Sequence, residues 1–164
     1  SIMSRSNTIE TIEQDTIQQQ VSLYNLDYHL WILNTAEALK AQNFSALDLE
    51  HLLDEILALS RREKKRLKSL LRRLIEHLLK LQYWDAERDR NQQHWKAEIT
   101  NFRKQIKDEL EDSPSLKSYL REIFSEAYED GRELASMRSG LSLDLFPPQP
   151  LVSLDQILDQ RWYP

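Results

Sequence analysis

An apolar stripe between Leu49 and Leu78 repeats itself after eighteen residues: Leu49, Leu52, Leu53 and Ile56 return as Leu67, Leu70, Leu71 and Leu74. Eighteen residues make five turns of about 3.6 residues each, so both sets fall at one azimuth of a single helix. The outer face reverses. Glu50, Asp54 and Glu55 become Lys68, Arg72 and Arg73 at matching angles, acidic in the first half and basic in the second. A rod that is apolar beneath and bipolar on top predicts an all-α architecture.

Composition agrees with that reading. Two glycines, two valines and a preponderance of leucine among the apolar residues favour helix over sheet. At 164 residues the chain is long enough to bury a core without staples, and the absence of cysteine excludes disulfides, thiolate metal sites and thiol nucleophiles. No apolar run reaches membrane-spanning length, and the polar opening segment lacks the apolar centre of a signal peptide, so the expectation is a cytoplasmic protein with no membrane contact.

The expected fold is a four-helix bundle-like single domain over residues 21–164, behind a flexible tail at residues 1–20. The first helix is expected from Leu23 to Ala41, apolar nearly all round and therefore central. Ser45 and Asp48 offer a start for the long helix, which on phase runs unbroken to Gln82; a capping-box spelling at Ser60 and Glu63 offers a kink instead. Residues 83–93 are charged and read as turns, with a third helix resuming at Trp95, Ile99, Phe102, Ile106 and Leu110. Ser113 with Pro114 signals a fourth helix, which uses Leu116, Leu120, Ile123, Phe124, Ala127 and Leu134 and stops near Gly140. Beyond it, Phe146, Pro147, Pro148 and Pro150 predict an irregular arm, with a short capped turn at Ser153, that wraps back over the same domain.

Several of these segments together resemble a known family. Residues 24–31 (YNLDYHLW), 44–56 (FSALDLEHLLDEI), 62–83 (REKKRLKSLLRRLIEHLLKLQY), 95–99 (WKAEI) and 112–116 (DSPSL) are similar, in order and spacing, to the domain of unknown function 29 family. The closing residues 146–147, 157–159 and 162–164 extend the likeness across residues 23–164. The family pattern maps onto Asp27, Trp31, Asp48, Glu50, Glu55, Glu63, His77, Lys80 and Trp95, among others. Asp54 stands where the family tends to carry Glu, and Leu59-Ser60 where Leu-Gly is common. The resemblance implies an all-helical, mainly bacterial protein and supplies no reaction.

Angle and spacing separate the chemistry-bearing residues. Glu63 and His77 flank the apolar stripe, where an acid and an imidazole can tune each other toward acid–base work, with Asp27 or Trp95 as possible companions. Fourteen residues apart, they stand about 21 Å from one another on a straight helix and cannot touch. Glu50, His51, Asp54 and Glu55 have metal-type spacing but do not converge, so neither a metal nor a cofactor is expected. Residues 61–73 hold eight basic residues and one acid, which leaves −12 elsewhere when the whole chain carries −5. The row Arg61, Lys65, Lys68 and Arg72 could track phosphates, although no aromatics interleave it.

The preferred function is a protein–protein interaction or scaffold role. Two antiparallel copies of the bipolar rod, related by a two-fold axis near Ser60, would set Glu50, Asp54 and Glu55 of one beside Arg61, Lys65, Lys68, Arg72 and Arg73 of the other. Nucleic-acid binding through the basic row is the alternative, and an enzyme built on Glu63 and His77 is the third reading.

Overall fold

The computed structural model describes residues 2–164, with side chains from residue 4 onward. It is all-α and bundle-like as expected, with six helices and no strand among the described residues. The chain divides into two compact units, one ending at Ser60 and the other spanning Arg61–Pro164.

In the first unit, α1 (Ile2–Leu26) and α2 (Tyr28–Lys40) are separated only by Asp27. The single helix expected from Leu23 to Ala41 is broken because the Asp27 carboxylate accepts the Leu30 N–H at 3.0 Å and restarts the ladder. Residues 1–20, read as a loose tail, belong to α1 from Ile2 onward; no glycine or proline interrupts that stretch. Gln20 ties it down, its Nε2 donating to the Trp31 carbonyl at 2.9 Å and to Thr35 Oγ1 at 3.1 Å.

Helix α2 is not central, contrary to its all-round apolar surface. Only Trp31 and Thr35 are buried, while Leu30, Ile32, Leu33 and Leu39 are exposed. A unit this short has too few elements to surround a helix on every side. After a 3-10 turn at Phe44–Ala46, α3 (Leu49–Tyr83) begins and runs uninterrupted through Ser60, so the capping-box spelling there is not used.

The second unit is built around residues 61–83 of α3, together with α4 (Asp85–Asp112), α5 (Leu116–Ser139) and the short α6 (Leu154–Leu158). From Leu74 to Leu81 every residue of α3 is buried, which makes this stretch the axis of the bundle. Helix α4 starts ten residues before Trp95, because the charged segment that reads as turns contains no glycine or proline, and six of its ten residues are Ala, Glu, Arg or Gln. Asp85 and Glu87 suit its positive end. Arg88 closes the junction by donating to the Leu81 and Gln82 carbonyls at 2.7 and 2.6 Å, the last turn of α3.

Gly131 has a packing reason. A Cβ built there would lie 2.8 Å from Ile75 Cγ2 and 2.9 Å from the Arg72 carbonyl oxygen, so α5 and α3 meet at a distance only glycine permits. Gly140 ends α5 at φ 73°, the left-handed cap that its position predicts. The arm then packs onto its own unit: Phe146 and Ile157 are buried, and Tyr128 Oη donates to the Pro147 carbonyl at 2.6 Å. Arg132 holds the same arm through the Phe146 and Leu143 carbonyls.

Candidate functional site

The two copies of the stripe have opposite fates. Leu67, Leu71 and Leu74 are 0% exposed, whereas their counterparts Leu49, Leu53 and Ile56 are 63%, 56% and 54% exposed. The expectation that all of them face the core holds for the second unit and fails for the first. Leu57 and Leu59 are exposed alongside them. Apolar side chains are thus bared on neighbouring turns of the first part of α3.

The first unit is fastened by carboxylates rather than by those leucines. Buried Asp48 accepts the Trp31 Nε1–H at 3.2 Å and the His51 N–H at 3.3 Å, which caps α3, and lies 2.6 Å from His51 Nδ1. That contact orients the imidazole ring. The Tyr24 ring stacks on His51, with centroids 3.9 Å apart. Glu55 accepts the hydroxyls of Tyr24 and Tyr28 at 2.5 and 2.6 Å. The Glu55 carboxylate stabilises the protonated phenol, so the Tyr24 pKa is pushed up to about 12.

The residues singled out from sequence therefore separate into used and unused charges. Glu55 serves the fastening just described, Lys68 pairs with Glu126 at 2.6 Å, and the Arg73 guanidinium lies 4.8 Å from the Phe102 ring centre. Arg72 buries its Nε without an acceptor among the described residues. Glu50, Asp54, Arg61 and Lys65 are exposed and have no ion-pair partner among the described residues. With Lys68 neutralised, the phosphate-tracking row presents an interrupted line of charge.

Glu63 and His77 do not form one site. Glu63 accepts from Ser113 Oγ at 3.4 Å, while His77 Nδ1 meets the Arg73 carbonyl at 2.8 Å and the ring stands edge-on to Phe102. Burial, followed by the nearby Lys80 charge, lowers the His77 pKa below its ordinary value. Asp27 caps α2, and Trp95 stacks on Trp84 in the core. No group of three or more metal-ligating side chains occurs among the described residues.

Two buried charges escape the sequence reading. Glu76, fully buried on the side of α3 opposite Leu67, receives Lys80 and Arg138 at 3.1 Å each, and the Lys80 ammonium sits 5.6 Å from the Trp95 ring centre. Its spacing of four from Lys80 is visible in the sequence but reads as a solvated face. Arg103, buried on α4, looks equally ordinary between Phe102 and Ile106.

An all-helical protein with a capped first unit, a bundled second unit and a proline-bearing arm is what the geometry defines. The family model described as Domain of unknown function DUF29 matches residues 23–163, and the chain belongs to that family. No curated protein and no solved structure matches the chain. None of the described helices is long and apolar enough to cross a membrane.

Proposed function

We propose that this protein is a protein–protein interaction module that self-associates as an antiparallel homodimer through α3. The carrying observation is the exposed stripe, Leu49, Leu53 and Ile56, whose repeat partners are wholly buried. Covering such side chains stabilises an association by about 25 cal/mol per Å² of apolar surface removed from water, before the cost of joining two molecules.

Charge selects a second copy as the occupant. In an antiparallel pair, setting Glu50 opposite Lys65 also sets Asp54 opposite Arg61, because both pairs share one centre between Leu57 and Ala58. The four are the exposed, unpaired members of the bipolar face. That centre puts the exposed Leu57 beside the two-fold axis, on the side of α3 that carries these four charges, with the exposed Leu53 next to it. It lies a few residues before Ser60, the centre expected from the sequence.

Light scattering coupled to size-exclusion chromatography tests the reading. The expected mass is twice the 19.5 kDa of one chain. Leu53→Glu combined with Ile56→Glu gives the single-chain mass with helicity unchanged. Arg61→Glu with Lys65→Glu weakens the dimer, and adding Glu50→Lys with Asp54→Lys restores it. A single-chain mass for the unaltered protein at every concentration contradicts the proposal, as does failure of the charge swap to rescue.

A further inference from the structure

Arg103 is 2% exposed, yet only one of its three guanidinium nitrogens is satisfied: Nε donates to the Ile157 carbonyl at 2.8 Å. Nη1 and Nη2 are buried with no acceptor among the described residues. The Tyr163 ring, 5.3 Å away, faces the guanidinium and offers only its π cloud. Burial lowers the Arg103 pKa, opposed by the nearby charges of Tyr163 and Asp159, but an arginine stays charged at neutral pH, so the second unit encloses a cation with two donors that no described residue accepts. Such a group is costly to bury unless an anion completes it.

Arg103 lies in the wall of a cleft of about 610 Å³ between α4 and the residues that follow α6. The size is that of small-molecule sites, which enclose roughly 300–1,000 Å³. Ile106, Leu110 and Leu158 supply an apolar wall; Lys117 and Arg161 add two cations, Lys107 adds a third that lies 4.0 Å from Glu111, and Asp159 is the second acid. Asp159 is partly engaged, its Oδ1 accepting the Arg161 N–H at 3.0 Å.

We propose that this cleft binds a small organic oxyanion, with the paired Nη donors of Arg103 as its anchor and the apolar wall for its carbon part. A guanidinium presents two parallel N–H groups that match a carboxylate or a phosphate edge. Because Arg103 is buried, with the Tyr163 ring centre 5.3 Å from its guanidinium, the anion enters as the residues after α6 lift, and its binding holds them down. Nothing in this proposal depends on self-association.

Thermal unfolding and calorimetric titration of the full chain with inorganic phosphate and, separately, malonate at constant ionic strength provide the test. The expected result is a saturable rise in Tm and a measurable Kd with at least one of the two, and the one that acts identifies the anion class. Arg103→Met abolishes it. Should that variant not fold, Lys107→Met with Lys117→Met, both exposed, weakens binding by roughly tenfold or more while leaving the unliganded Tm unchanged. Asp159→Asn, which removes a competing carboxylate, tightens binding. No saturable response to either anion overturns the proposal, as does an equal response in Arg103→Met or in the double variant. A drop in Tm with Asp159→Asn and no gain in affinity assigns Asp159 as the partner of Arg103 and overturns it too.

Discussion

Leu53 and Leu71 are the same residue at the same azimuth of the same helix, eighteen positions apart, and one is 56% exposed while the other is wholly buried. Their local sequence does not differ in any way that bears on helix formation. The difference lies in what the rest of each unit supplies. The second unit brings α4, α5 and the arm against its half of α3, whereas the first is pinned by Asp48, Glu55 and Gln20 through hydrogen bonds that leave the leucines bare. Periodicity specifies which face is apolar; it does not specify whether the same chain covers it.

The sharpest way to test that contrast is to truncate both leucines. Leu71→Ala is expected to lower unfolding stability by about 3 kcal/mol, because it removes buried methyl groups and leaves a cavity. Leu53→Ala, in the monomeric state, should change it by less than about 0.5 kcal/mol. Urea denaturation of dilute protein reads both, and equal losses would erase the distinction between the copies.

Gly131→Ala comes next, with an expected loss of about 2 kcal/mol from forcing α5 away from Ile75 and the Arg72 carbonyl. Were this variant as stable as the parent, the close approach that anchors the buried half would not exist. In the first unit, Asp48→Ala removes the cap of α3 and the partner of Trp31, and should cost about 1–2 kcal/mol. Its signature is a change in Trp31 fluorescence at denaturant concentrations that leave the second unit's tryptophans in place.

The smallest effect is a pH dependence confined to the buried half. The folded-state pKa of His77 lies below 6.5, so the unfolded chain takes up the proton first. The stability tied to neutral His77 is therefore fully present above pH 6.5 and is lost as the pH falls below that value. His77→Gln should flatten the stability profile between pH 7 and the folded-state pKa. An unchanged slope would place the acid sensitivity elsewhere.

Much of this fold is readable without coordinates, since the α5 stop at Gly140, the start near Ser113-Pro114 and the buried arm all follow from local chemistry. The errors have a common physical origin. The first turns of α4 are polar but contain neither glycine nor proline, and polarity there does not prevent a helix. The burial of α2 and of the first stripe depends on tertiary partners that periodicity cannot see. Glu76 and Arg103 were hidden for the converse reason: a charged residue reads as solvated unless the elements surrounding it are known.

Thiol labelling measures the central contrast most directly, because a chain without cysteine reports only the position where one is introduced. Leu53→Cys should react with a maleimide rapidly in dilute protein and progressively more slowly as concentration rises, while Leu71→Cys stays protected at every concentration until the protein unfolds. Equal protection of both positions in the most dilute samples would contradict the account, since it would mean that the chain covers the first stripe by itself.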